Sequence, residues 1–152
     1  MNDYKFYGHD KELTNIKPIT KTDSLILPGI DNPYDMYDAL SHIWCAVTCA
    51  PRMRDKWTRE DMTMGQCSIT AFLTQDIFGG KVYGVLREGG NYHCYNEVDG
   101  YIFDLTSEQF HNEELNYENN PLQSRKVHFA KEEKYNRYLL LKELLIKYCN
   151  NK

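Results

Sequence analysis

The sequence predicts an α+β fold in which helices pack on a small antiparallel sheet. Apolar residues recur at helical spacing in three segments, two before residue 80 and one at the end of the chain. Between them, residues 81–105 divide into three short strand-like runs. The pairs Gly89-Gly90 and Asp99-Gly100 separate these runs, as hairpin turns do. Strands joined by such short turns are antiparallel, which favours an α+β fold.

Length and composition indicate one globular domain. The chain has 152 residues, of which 41% are hydrophobic and 26% charged. A domain of this size buries roughly 70% of the surface that its unfolded chain exposes. The 12 Tyr, 6 Phe and 2 Trp argue against disorder. We therefore expect a single domain over residues 1–152, with an extended N-terminal arm at 1–30 and a core at 31–149.

Charge and cysteine content exclude several classes of function. The net charge is −4 and no Lys/Arg run stands out, so we expect no nucleic-acid partner. No apolar run approaches the ~20 residues of a membrane span, and the N-terminus lacks the apolar region of a secretory signal. Five cysteines are an odd number in a spacing that fits no disulfide framework. These features favour a reducing, cytoplasmic location without membrane association.

The first helix is predicted to begin at Pro33, with Asp31 or Asn32 as its N-cap, and to end before Pro51. Within it, Cys45 and Cys49 lie one turn apart, close to His42. Because no second Cys/His pair completes a zinc site, we interpret these three residues as members of a helix face. We expect no metal and no other cofactor.

The second helix is predicted to run from Gln66 or Cys67 to Phe78, where Gly79-Gly80 ends it. The strands follow at 81–87, 92–98 and 101–105, the last two joined by the two-residue Asp99-Gly100 turn. Further predictions are a short helix or turn at 106–110, a polar loop at 111–123, a short strand at 126–129 and a last helix at 131–148.

The register of the second hairpin brings a histidine and a carboxylate together. With Asp99-Gly100 as the loop, Val98 pairs with Tyr101, and side chains alternate between the two faces along each strand. His93 and Asp104 then become diagonal neighbours on one face, with backbones roughly 7–8 Å apart. A carboxylate there can accept a hydrogen bond from one imidazole nitrogen and leave the other nitrogen for a third group.

Cys67 supplies the third group. A thiol at a helix N-terminus is acidified by unpaired backbone N–H groups and by the helix dipole. Cysteine, histidine and carboxylate are the nucleophile, base and orienter of nucleophilic catalysis, so Cys67, His93 and Asp104 are the predicted triad. Gly65 lets the chain turn sharply before the thiol. The neighbouring Cys94 points to the opposite face from His93, and we place it in the core.

Other side chains are assigned to the same site with alternatives left open. Gln66 either donates its amide to an oxyanion or only leads the helix. Tyr95 lies on the face of His93 and could shield the His–Asp contact from water. Trp57, in a polar loop, is either a core anchor or a pocket wall. His111 could reach the rim of the site, whereas His128 shows no context.

These motifs resemble the transglutaminase-like branch of the papain-like cysteine-enzyme superfamily, in which a helix-start cysteine precedes a histidine and an aspartate on adjacent strands. More closely, they resemble the bacterial YunG-like family. The resemblance covers about residues 40–112 and rests on the following runs: Gly65-Gln66-Cys67-Ser68-Ile69-Thr70-Ala71, Phe78-Gly79-Gly80, His93-x-Tyr95-Asn96, Asp99-Gly100 and Asp104-Leu105-Thr106-x-x-Gln109-Phe110. It implies a papain-like core and the roles of nucleophile for Cys67, base for His93 and orienter for Asp104.

The leading hypothesis is therefore a cysteine hydrolase or acyltransferase, similar to cysteine proteases and amidases, that acts on an amide, ester or thioester. Its partner would be a peptide, a protein or a small acyl substrate. The alternative is a binding module that keeps the fold and holds a peptide or protein without turnover. A third reading is an interaction protein that dimerises through its tyrosine-rich last helix. The sequence leaves the oligomeric state open.

Overall fold

The computed structural model describes residues 3–20 and 25–151. These residues form four α-helices and a three-stranded antiparallel sheet in the order β1-β2-β3. Helices and strands have the following bounds: α1 Pro33–Ile43, α2 Cys67–Phe78, β1 Lys81–Leu86, β2 Tyr92–Val98, β3 Tyr101–Phe103, α3 Arg125–Phe129 and α4 Glu132–Asn150. Helices on a small antiparallel sheet are the predicted α+β class.

Helix α2 is the centre of the molecule, because it packs against β2 on one side and α4 on the other. Nine of its residues are buried. Asn96 on β2 donates its side-chain amide to the Ala71 carbonyl of α2 over 2.9 Å. Cys94 and Val98 alternate with His93 along β2 and lie in the core that α2 covers. The prediction that Cys94 belongs to the core is confirmed.

The hairpin register is the predicted one. Val98 pairs with Tyr101, Glu97 with Ile102 and Asn96 with Phe103. Both loop residues have positive φ, 53° at Asp99 and 85° at Gly100, as a type I′ turn requires. Strand β3 ends at Phe103 rather than at residue 105, because the backbone N–H of Asp104 bonds to Tyr7 of the N-terminal arm instead.

The described part of the arm is built into the core. Phe6, Leu13 and Ile16 are fully buried, and Leu13–Asn15 forms a short 3₁₀ helix. Some residues of the predicted 1–30 arm, at 1–2 and 21–24, lie outside the described residues. The remainder contributes to the same hydrophobic cluster as the helices.

Helix α1 begins as predicted, with the side chain of Asn32 accepting from the N–H groups of Tyr34 and Asp35. It ends at Ile43, however, and not just before Pro51. The carbonyls after it are satisfied by arginines instead of by helix hydrogen bonds: Arg59 donates to Trp44, and Arg54 to Ala46, Val47 and Cys49.

As a consequence, Cys45 and Cys49 lie in a turn beyond the helix, and the predicted shared helix face with His42 is wrong.

The predicted strand at 126–129 is also wrong, since these residues belong to α3. Ser124 caps this helix by accepting from the Val127 N–H over 3.3 Å. A run of four residues with alternating polarity fits a strand and a single helical turn about equally well. The Ser124 cap stabilises the helical conformation here. The helix turns His128 inward, where it is partly buried.

Candidate active site

Cys67 is the first residue of α2, and its side chain is partly exposed at a cavity of about 460 Å³. Gly65, two residues earlier, has a φ of 71°. A Cβ at Gly65 would lie 2.5 Å from the Cys49 sulfur, so the chain can pass here only as glycine. The turn leaves the backbone N–H of Cys67 among the unpaired donors of the helix start.

His93 and Asp104 form a buried pair. The Nε2 atom of His93 lies 2.6 Å from Oδ2 of Asp104, and the two residues are 3% and 1% exposed. The predicted diagonal contact across the hairpin is therefore present. Because Nε2 faces the carboxylate, Nδ1 is the nitrogen left for the thiol.

Three further donors hold the carboxylate in place. Tyr117 donates its hydroxyl to Oδ2 over 2.7 Å. Thr106 donates its backbone N–H to Oδ1 over 3.1 Å and its hydroxyl over 3.3 Å. A buried carboxylate with four donors is a well-satisfied anion.

The electrostatics of Cys67 favour a thiolate. Its pKa is lowered well below the ordinary thiol value, first because Cys94 hydrogen-bonds to the sulfur and then because the charge and hydrogen bond of His93 outweigh burial. Beside this thiolate, hydrogen bonding and burial raise the pKa of the Cys94 thiol well above its ordinary value. Cys94 is thus a core residue that also contacts the Cys67 sulfur.

His93 carries the matching positive charge. Burial lowers its pKa, but the Asp104 carboxylate and the Cys67 thiolate together raise it to about 10. Phe110 packs edge-on against the imidazole, with ring centres 4.6 Å apart, and lines the cavity. The arrangement is a thiolate–imidazolium pair at one wall of the cavity, backed by a carboxylate.

Two side chains that were expected at the site are elsewhere. Gln66 is fully buried and donates its amide to the Cys45 carbonyl over 3.1 Å. Trp57 donates its indole N–H to Met62 over 3.0 Å. Neither is among the described residues that line the cavity. Trp57 is also not part of the main hydrophobic core, and its side chain is only partly buried. Both side chains therefore lie away from the described cavity wall.

Tyr95 and His111 also lie outside the described cavity lining. Tyr95 is buried behind the carboxylate, where its hydroxyl donates to the Tyr117 carbonyl over 3.1 Å. The direct partner of Asp104 is therefore Tyr117, and Tyr95 supports it from behind. His111 is exposed and lies 3.5 Å from Asp61.

Several cavity residues were missed by the sequence analysis. Gln109 accepts from the Gly65 N–H over 3.4 Å, and His128 and Lys134 also line the cavity. Tyr117 was missed as well, although a large aromatic in a polar loop is a signal that could have found it. No local pattern distinguishes Lys134 from the other lysines of α4.

In the described residues, no helix combines the length and apolar character that crossing a bilayer would require.

Comparison with known proteins identifies a family but no solved structure that matches. No solved structure matches the chain. The "Uncharacterized protein YunG" of Bacillus subtilis (strain 168) is 46% identical over 55 residues, which are 36% of this chain and 47% of that protein. The match thus spans about half the length of this relative. The family described as "YunG protein" matches residues 32–150, so the chain belongs to the YunG protein family.

Proposed function

We propose that this protein is a cysteine-nucleophile enzyme that transfers an acyl group from an amide, ester or thioester to its own thiol and then to water or an amine. The observation that carries the proposal is the thiol of Cys67 at a helix start, acidified beside an imidazole that a buried carboxylate holds. This arrangement in a helix-on-sheet core also supports a papain-like fold for the chain.

The first half of the reaction uses the thiolate and the imidazolium. The Cys67 sulfur attacks the substrate carbonyl carbon, a C–S bond forms, and the carbonyl electrons move to the oxygen. The backbone N–H of Cys67 at the start of α2 is placed to donate to that oxyanion. His93 then gives its Nδ1 proton to the leaving nitrogen, oxygen or sulfur, whose bond to carbon breaks to leave a thioester.

The second half reverses these roles. Neutral His93 takes a proton from water or an amine, which attacks the thioester carbon. The C–S bond breaks, the product leaves, and the thiolate–imidazolium pair is restored. Asp104 keeps Nε2 protonated throughout, so that Nδ1 faces the reaction.

The test is the pH dependence of Cys67 alkylation by iodoacetamide, mapped by mass spectrometry. We expect Cys67 to titrate well below the ordinary thiol value of about 8.5 and to lose this acidity in His93→Ala. His42→Ala is the matched control, because His42 lies on α1 away from the cavity. The partly exposed Cys45 serves as an internal reference thiol in the same digest.

A Cys67 that reacts no faster than Cys45 at neutral pH would contradict the proposal. It would favour a module that binds its ligand without turnover. An acidic Cys67 in the parent and in His42→Ala, but not in His93→Ala, would justify a screen of acyl substrates for burst kinetics.

A further inference from the structure

The charged side chains that line the cavity beside Cys67 are mostly cationic. Apart from His93, whose charge faces Cys67 and Asp104, five Lys and Arg side chains of the described residues line it: Arg52, Arg87, Lys131, Lys134 and Arg137. Among the described lining residues, Glu88 is the single carboxylate. The chain as a whole carries a net charge of −4, so this concentration of positive charge is local.

Two of the five cations are already paired. Arg87 makes a bidentate pair with Glu113 at 2.8 and 2.9 Å. Arg137 donates to Glu133 over 2.5 Å and to the Thr48 carbonyl over 3.1 Å. The charges of these two side chains are therefore compensated by neighbouring carboxylates.

The other three have no carboxylate within 4.0 Å among the described residues. They come from two places in the chain: Arg52 precedes α2, while Lys131 and Lys134 lie at the start of α4. Elements far apart in sequence thus bring unneutralised cations to one cavity.

Lys134 is held by a short hydrogen-bond chain. Its Nζ donates to Nδ1 of His128 over 2.9 Å, and Nε2 of His128 faces the side-chain oxygen of Gln123 at 2.7 Å. The imidazole must be neutral to accept at Nδ1, and burial together with Lys134 lowers its pKa to about 4. An ammonium has three donors, so Lys134 keeps two for a ligand.

Lys134 also lies close enough to Cys67 for their charges to interact. Burial lowers its pKa, while the Cys67 thiolate opposes that shift. A partly buried ammonium with unused N–H donors is stabilised by an anion whose oxygens accept from it. The site therefore suits a ligand that carries an anionic group, such as a carboxylate or a phosphate, close to the carbon that Cys67 would attack.

We propose that Lys134, assisted by Lys131 and Arg52, forms an anion subsite that binds a carboxylate or phosphate group of the substrate beside Cys67. The inference rests on the proposed function, and it narrows the substrate to anionic acyl compounds.

The test compares three alkylating probes of equal length: N-bromoacetylglycinamide, N-bromoacetylglycine and N-bromoacetyl-aminomethylphosphonate. They carry a neutral amide, a carboxylate and a phosphonate. At low salt we expect one or both anionic probes to modify Cys67 at least about tenfold faster than the neutral probe. The faster of the two identifies the group that the subsite prefers.

The ratio of anionic to neutral rates isolates the subsite, because a change in thiolate reactivity affects all three probes alike. We expect Lys134→Gln to lower the ratio, and the triple variant Lys134→Gln, Lys131→Gln, Arg52→Gln to bring it close to one. Lys147→Gln is the matched control, since it removes the same charge from an exposed position on the same helix. A parent ratio of one or less, or a ratio unchanged in the triple variant, would overturn the proposal.

A binding readout separates this proposal from the catalytic one. N-acetylglycine and N-acetyl-aminomethylphosphonate need no reactive thiol, and their binding can be followed by amide chemical shifts against N-acetylglycinamide. Saturable shifts that Lys134→Gln abolishes, in a protein with an inert Cys67, would support the anion subsite and refute the enzyme. A reactive Cys67 without any anion preference or anion binding would refute the subsite alone.

Discussion

At the scale of single residues, Asp104 determines how the site is built. Its Oδ2 receives His93 and Tyr117, and its Oδ1 receives two donors from Thr106. Removing one hydrogen-bond partner of a buried carboxylate costs more free energy than losing an average hydrogen bond, because water cannot reach the carboxylate to replace that partner. Tyr117 acts through Asp104 and is a positioning residue, whereas His93 touches the reacting groups in the proposed mechanism.

Tyr117→Phe should separate positioning from general stability. Losing a hydrogen bond to a buried charge should lower the free energy of unfolding by about 1–3 kcal/mol. A less firmly held carboxylate orients the imidazole less well, so Cys67 alkylation at pH 7 should fall several-fold. Urea unfolding and iodoacetamide kinetics measure the two effects.

Tyr95→Phe is the control for this change. It removes a hydroxyl from another buried tyrosine, one that donates to the Tyr117 carbonyl and accepts from Asn120 but does not bond to Asp104. We expect it to lose stability while Cys67 keeps its alkylation rate. Identical alkylation rates in the two variants would show that Tyr117 does not position the carboxylate.

At the scale of elements, the start of α2 depends on a close approach of two chain segments. The Gly65 carbonyl accepts from the Ala50 N–H over 2.9 Å, which ties the turn before α2 to the segment after α1. A Cβ at Gly65 would lie 2.5 Å from the Cys49 sulfur and 2.9 Å from the Ala50 nitrogen. The position of the thiol thus depends on a contact without room for any side chain.

Gly65→Ala should lower the free energy of unfolding by about 3 kcal/mol or more, because it adds a steric clash to the cost of positive φ. Gly100→Ala isolates the second cost, since its φ is 85° and nothing lies within 4 Å of the added Cβ. We expect that control to lose about 1–2 kcal/mol. Urea unfolding measures both, and equal losses would contradict the close approach.

At the scale of the whole molecule, the thiolate–imidazolium pair links stability to pH. The pKa of His93 is raised to about 10, so its contribution is complete below the unfolded value of about 6.5 and is lost as the pH rises through 10. The pKa of Cys67 is lowered, so its contribution is complete above about 8.5 and is lost as the pH falls through the lowered pKa.

Together these two shifts predict a stability plateau. Between about pH 6.5 and 8.5 the folded pair and the unfolded pair hold one proton each, so their slopes cancel. On either side the difference in unfolding free energy between the parent and the double variant Cys67→Ala, His93→Ala should fall by about 1.4 kcal/mol per pH unit. Urea unfolding from pH 5 to 10 measures it, and a constant difference would mean that the pair is neutral.

Local sequence signals determined the central part of this molecule. The Asp99-Gly100 turn fixed the hairpin register, and the register put His93 beside Asp104, because side chains alternate strictly along a strand. Asn32 and Pro33 marked the start of α1, and Gly79 and Gly80 marked the end of α2. These features depend on residues that are close in sequence, where turn and cap chemistry act directly.

Only the tertiary structure decided the remaining features of the site. Arginine side chains from a later loop take over the carbonyls after Ile43, so the helical periodicity beyond that residue did not produce a helix. Tyr117, His128 and Lys134 reach the site through loops and helices that no period in the sequence places. Gln66 and Trp57 lie away from the cavity, where they donate their N–H groups to the backbone carbonyls of Cys45 and Met62. Contacts between residues that are far apart in sequence form only when the helices, strands and loops pack together in the folded chain.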